Sequence, residues 1–150
     1  MLEQLNLPYV WHEVDMMAGA TRTDEFKKLN PNGKVPVLVI DDNTTLSESG
    51  AILCYLADGT PLMPADRLER AQVQWMFFEQ YSHEPYVAVA RFILQFLKQL
   101  DDARLPDRIA GAYRALDVME QHLATRTYFV GERYSIADIA LYACLHACRR

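Results

Sequence analysis

A small α/β unit followed by an all-helical one is the fold class that this sequence predicts, on three observations. Across residues 1–57, short runs of β-forming residues alternate with helical stretches. Residues 58–66 then gather Gly59, Pro61 and Pro64, the composition of a linker. Residues 67–150 show helical patterning and no strand pattern.

The bulk properties bound the possibilities. The chain has 150 residues, 51% of them hydrophobic, enough to bury a core in one domain or two small ones. A net charge of −5 argues against nucleic acid as a partner, which calls for clustered Lys and Arg. No apolar run approaches the ~20 residues of a membrane span, and the acidic start is unlike a secretory signal. Three cysteines, Cys54, Cys144 and Cys148, lie within apolar helical patterns. They read as reduced core residues of a cytoplasmic protein.

In order along the chain, Met1 to Leu5 has the look of a last helical turn, closed by Asn6 and Pro8. Tyr9 to Val14 is rich in β-formers and predicts a strand. After a polar loop holding Gly19 and Thr21, Asp24 to Leu29 predicts a short helix capped by Thr23. Asn30-Pro31-Asn32-Gly33 is a turn cluster. Val37 to Ile40 predicts a buried strand, Asp41-Asp42-Asn43 a turn, Thr44 to Leu46 a partner strand, and Ser49 to Leu56 a helix. Beyond the linker, Arg67 to Leu100 predicts one long helix, or a kinked one disturbed at Pro85. Asp107 to Ala124 carries a stripe of Ile109, Ala112, Tyr113, Leu116, Met119 and Leu123. The last helix, opened by Ser135, is apolar nearly all round and is expected to be buried centrally.

Three segments carry chemistry. In Asn30 to Leu38, a proline stands directly before a buried strand, where it cannot donate to the ladder. A cis Val35-Pro36 bond would turn a corner and leave the N–H and C=O of Val35 facing outward, able to hold an extended peptide by strand-like hydrogen bonds. A plain trans turn is the alternative. In Ser47 to Ile52, an acid and a hydroxyl meet where a strand gives way to a helix. The helix N-terminus receives a carboxylate, Ser49 adds a hydroxyl donor and Glu48 can pair with an ammonium. Together they would grip an α-amino acid by both charged ends; an ordinary N-cap is the alternative. In Ser135 to Asp138, Ser-x-x-Asp before an apolar run is a capping-box pattern, so both residues read as structural. Tyr134 or Phe129 is placed to staple the first turn.

The order of these segments resembles the cytosolic glutathione transferases. The resemblance covers essentially the whole chain and rests on Asn30 to Leu38, Glu48-Ser49-Gly50-Ala51-Ile52, the proline linker and Gly131 to Asp138. It implies a thioredoxin-like N-terminal domain (1–57), incomplete because its first strand and most of its first helix are missing. A linker (58–66) would join it to an all-helical C-terminal domain (67–150), also incomplete. It implies that Val35 pairs with the cysteinyl backbone of glutathione before a cis Pro36, that Glu48 and Ser49 hold the γ-glutamyl group, and that Lys34 reaches the glycyl carboxylate. The implied activity is conjugation of glutathione, as co-substrate and without a metal, to a small hydrophobic electrophile, in a cytoplasmic homodimer.

The family pattern opens with a strand and a loop bearing a Tyr, Ser or Cys that lowers the pKa of the glutathione thiol. This chain begins inside the helix that follows, so no catalytic residue is assigned, and Tyr9 belongs to the next strand. The chain also stops at Arg149-Arg150, before the family's closing helices. The rival expectations are a non-catalytic glutathione-binding or interaction module, and an inactive gene fragment. His12, His83, His122 and His146 are too far apart for metal-ligand spacing. Cys144 and Cys148 lie one helical turn apart but lack a third ligand. Phe77, Phe78, Tyr81 and Tyr86 either line a hydrophobic substrate pocket or form plain core.

Overall fold

The computed structural model describes residues 1–75 and 79–146. The chain divides into two compact units, Met1–Asp58 and Gly59–Arg150.

In the first unit, Glu3–Leu5 is one 3₁₀ turn closed by Asn6 in the left-handed region (φ 52°), whose amide returns to the Glu3 carbonyl. Helix α1 (Asp24–Leu29) starts where the Thr23 side chain accepts from the Phe26 amide at 3.2 Å. Its acidic residues Asp24 and Glu25 lie in the first turn and Lys27 and Lys28 in the last, each matching the helix dipole. Strands β1 (Val37–Asp41) and β2 (Thr44–Ser47) pair antiparallel, with Val37 opposite Ser47 and Leu38 opposite Leu46. Asp41 accepts from the Asn43 amide at 2.9 Å across the turn, and this bond holds its carboxyl below the usual carboxylate range. An isolated hairpin is marginal. This one is tied down by Thr45, whose hydroxyl donates to the Leu29 carbonyl at 3.0 Å, and by α2 (Ser49–Ala57), which packs on β2.

Tyr9 to Val14 is not a strand, contrary to expectation. Composition makes a segment suitable for a sheet, but a strand exists only when its backbone finds a partner. Among the described residues β1 and β2 pair only with each other, and Val10 and Trp11 are each 78% exposed.

In the second unit, residues 59–66 are held in place: Met63 and Pro64 are buried and the Leu62 carbonyl accepts from the Ile136 amide at 3.1 Å. Helix α3 (Arg67–Gln72) is capped by Asp66, which takes the amides of Leu68 and Glu69, both at 2.9 Å. The expected long helix is segmented. After α3 come a π turn (Glu79–His83), α4 (Glu84–Arg91) and a second π turn (Phe92–Leu97), ended by Lys98 in the left-handed region. Pro85 sits in the first turn of α4, into which the π segment Glu79–His83 runs without a break, so the disturbance expected at Pro85 is present as a change of helical form.

Helix α5 (Leu105–Leu123) buries Gly111, Ala115 and Met119, and leaves Ile109 and Tyr113 of the expected stripe exposed. The reason is close packing on α4: the Tyr86 ring lies where a Cβ on Gly111 would be. The guanidinium carbons of Arg108 and Arg114 lie 5.3 and 5.9 Å from the same ring's centre. Helix α6 (Ile136–His146) buries Ile136, Ala137 and Leu141 completely. Tyr142 and Ala143 are exposed, so one side of α6 is buried rather than its whole circumference.

Candidate functional site

The two candidate segments of the first unit lead to one end of the hairpin. Val37 and Ser47 are opposite one another in the ladder. In an antiparallel pair the chain leading into one partner and the chain leaving the other lie at the same end. Val35, two residues before Val37, and Ser49, two after Ser47, are therefore carried to the same end of the sheet, with Lys34 and Glu48 beside them.

The incoming loop is shaped by its own residues. The Val35-Pro36 bond is cis, as expected, and Val35 and Lys34 are exposed. Asn30 is 3% exposed and is bonded through both its side-chain heteroatoms: its Oδ1 accepts from the Asn32 amide at 3.1 Å, and its Nδ2 donates to the Lys34 carbonyl at 2.7 Å. Gly33 has φ +62°, and a Cβ there would meet the Thr21 carbonyl oxygen at 2.9 Å, so both conformation and space call for glycine.

On the outgoing side, the first carbonyl–amide bond of α2 runs from the Ile52 amide to the Glu48 carbonyl, at 3.0 Å, and among the described residues no side chain caps this end. The amides of Ser49, Gly50 and Ala51 are thus the unfilled donors of the first turn. An ordinary N-cap was the alternative here, and the Glu48 side chain does not fill that role. Glu48 instead has φ 70° and ψ 117°, a backbone shape that L residues rarely adopt, and its side chain is exposed. Ser49 is exposed as well. An acid, a hydroxyl, helix-start amides and a turned peptide thus stand at one end of the sheet, groups of the kind that receive an amino-acid-like ligand through its carboxylate and its ammonium.

The remaining candidates separate. The Tyr9 hydroxyl donates to Glu3 at 2.6 Å, and that bond raises its pKa, the wrong direction for a group meant to acidify a neighbour. Ser135 and Asp138 form the capping box expected of them, described below. Phe129 is buried, stacking on His122 (5.7 Å) and packing 5.6 Å from Trp75. His122 Nε2 lies 2.9 Å from the Phe129 carbonyl oxygen. Among the described residues no group of His, Cys, Asp or Glu could hold a metal ion, and no helix is long and apolar enough to cross a membrane. Tyr86 packs on Gly111 and Tyr81 is exposed; Phe77, Phe78 and Cys148 lie outside the described residues, as does the side chain of Cys144. Sequence reasoning missed the role of Asn30, although an Asn opening a turn cluster was a signal for it.

Residues 1–58 match the model of the glutathione S-transferase N-terminal domain and residues 88–150 that of the C-terminal domain. The chain is 53% identical to a glutathione S-transferase of known structure from Pseudomonas fluorescens, over 99% of its own length and 75% of that chain, with a TM-score of 0.92. A glutathione transferase from Burkholderia graminis, solved with two glutathione molecules per subunit, is 36% identical over 99% of this chain and 65% of that one, with a TM-score of 0.87. An elongation factor 1-gamma from Artemia salina is 41% identical over 129 residues, 83% of this chain but 29% of that protein. The chain thus spans well under half of that relative. With a small N-terminal sheet flanked by helices and a helical C-terminal unit, the chain belongs to the glutathione transferase family.

Proposed function

We propose that this chain binds glutathione at the end of the β1–β2 hairpin and serves conjugation of the glutathione thiol to small hydrophobic electrophiles. The observation that carries the reading is the strained, exposed Glu48 at an uncapped helix start, at the same end of the sheet as the turned Val35 peptide. Glu48 takes the γ-glutamyl ammonium, while Ser49 and the helix-start amides take its carboxylate. The Val35 backbone pairs with the cysteinyl residue, and Lys34 faces the glycyl carboxylate. No metal enters this chemistry. A cytoplasmic homodimer is the form we assign to it, by family resemblance.

No residue of this chain matches the family's thiol-activating position, so the 150 residues are expected to bind glutathione and to turn over little. The likeness to a protein named elongation factor 1-gamma favours a second reading, a glutathione-binding or interaction module without catalysis.

Calorimetric titration with glutathione, paired with a conjugation assay using a chromogenic electrophile, tests both. Saturable binding that weakens in Glu48→Ala and Ser49→Ala is the expected result. Absence of binding, or affinity unchanged in both variants, would overturn the site. Efficient turnover by these residues alone would show that a thiol activator lies among them.

A further inference from the structure

We propose that Asn30 is a positioning residue for glutathione, fixing the peptide plane that presents the Val35 N–H; the inference rests on the binding reading above. Asn30 ends α1 and is 3% exposed. Its amide donates to the Phe26 carbonyl at 3.0 Å and its carbonyl accepts from the Gly33 amide at 2.9 Å. Its side-chain oxygen takes the Asn32 amide, which is all that a turn of this kind requires. The side-chain nitrogen does something more. It donates to the Lys34 carbonyl at 2.7 Å, four residues on.

The Lys34 carbonyl and the Val35 N–H belong to one planar peptide unit, and in a trans unit they point in opposite directions. The only cis bond among the described residues is the next one, Val35-Pro36. Holding the Lys34 oxygen against buried Asn30 therefore turns the Val35 N–H away from the protein body. A strand-like bond to glutathione needs that donor already aimed, because an aimed donor does not have to be ordered on binding. Only asparagine supplies both the acceptor for Asn32 and the donor for Lys34 at this reach. Aspartate keeps the first and, while ionised, loses the second.

Calorimetric titration with glutathione on the full chain, Asn30→Ala and Asn30→Asp tests this, with folding of each protein checked by circular dichroism. Each variant is expected to bind about tenfold more weakly at neutral pH, the scale of one lost hydrogen bond. Asn30→Asp is expected to regain affinity relative to the parent as pH falls and its carboxyl gains a proton to donate. With every protein verified as folded at both pH values, a role confined to fold stability would leave affinity unchanged throughout and show no such loss and recovery. Should Asn30→Ala fail to fold, Asn30→Asp, which retains the turn acceptor, carries the test. Parent-like affinity in Asn30→Asp at neutral pH overturns the inference and leaves the glutathione site standing. Failure of the parent chain to bind glutathione overturns both.

Discussion

Ser135 and Asp138 cap one another across the first turn of α6. The Ser135 amide donates to Asp138 at 2.8 Å and its hydroxyl to the same carboxylate oxygen at 3.1 Å, while the Ser135 oxygen accepts from the Ala137 amide at 3.3 Å. The second Asp138 oxygen takes the Phe129 amide at 3.0 Å, tying the preceding loop to the helix.

Asp138→Ala removes a cap and strands two amides, those of Ser135 and Phe129, in a largely buried place. A lost cap costs about 1 kcal/mol, and a stranded buried donor about 1–3 kcal/mol. Urea unfolding is expected to show a loss of roughly 2–4 kcal/mol. Asp138→Asn, which keeps one acceptor oxygen, is expected to lose less. Equal stability of parent and Asp138→Ala would show that the box contributes nothing.

Gly111→Ala forces a methyl group into the Tyr86 ring. Overpacking costs about 1–3 kcal/mol, against at most about 1 kcal/mol regained from helix propensity. Net destabilisation in thermal unfolding is expected, and Tyr86→Leu in the Gly111→Ala background is expected to recover part of it. Stabilisation by Gly111→Ala alone would refute the close approach of α4 and α5.

His83 is fully buried, neither ring nitrogen is hydrogen-bonded among the described residues, and burial lowers its pKa. The folded state therefore binds the proton less readily than the unfolded chain. Its favourable balance is complete above the ordinary histidine value of 6.5 and is lost as pH falls below that toward the lowered value. His83→Leu is expected to flatten this part of the stability–pH curve. It is also expected to raise stability near pH 6 by about 1 kcal/mol or more, because a buried polar group without partners is costly. An unchanged slope would show that the titration lies elsewhere.

Asp102 is bonded by the Arg104 guanidinium at 2.6 and 2.9 Å and by its amide at 2.9 Å, and the side-chain bond chiefly holds its pKa down at about 2. A depressed carboxyl contributes stability that is whole above the ordinary 3.8 and fades as pH falls from there toward 2. Asp102→Asn is expected to shrink the acid-side decline in melting temperature over that window. A parallel decline in parent and variant would assign the effect to other carboxylates.

Glu48→Gly separates stability from binding. Glycine adopts a positive φ without the steric cost borne by Glu48, so the variant is expected to gain about 1 kcal/mol in unfolding. It also removes the carboxylate proposed to hold the ligand ammonium, so glutathione affinity is expected to fall at least tenfold, the scale of a lost charged hydrogen bond of about 1.5–3 kcal/mol. A variant both more stable and equally tight-binding would free Glu48 of any ligand role.

Much of this molecule is legible in its sequence wherever the determinant is local. Thr23 caps α1 and Ser135 pairs with Asp138 because a capping side chain needs only the next three residues to act. The β1–β2 hairpin follows the same rule, its turn being closed by Asp41 on Asn43. Tertiary structure decided what depends on distant partners. Tyr9 to Val14 has the composition of a strand, yet it pairs with neither β1 nor β2 and forms none. On α5 the buried face keeps Met119 of the expected stripe but takes in Gly111 and Ala115 and leaves out Ile109 and Tyr113, because the face that is buried depends on the neighbour, here the Tyr86 ring of α4. Pro85 marks a disturbance that the sequence announces, but its form, a π turn running into α4, is decided only by the structure. Asn30 reads as one more turn residue until the loop folds back and brings the Lys34 carbonyl within 2.7 Å of its amide nitrogen. Local chemistry acts over a few bonds and can be read along the chain, whereas burial and pairing are properties of what the chain meets in space.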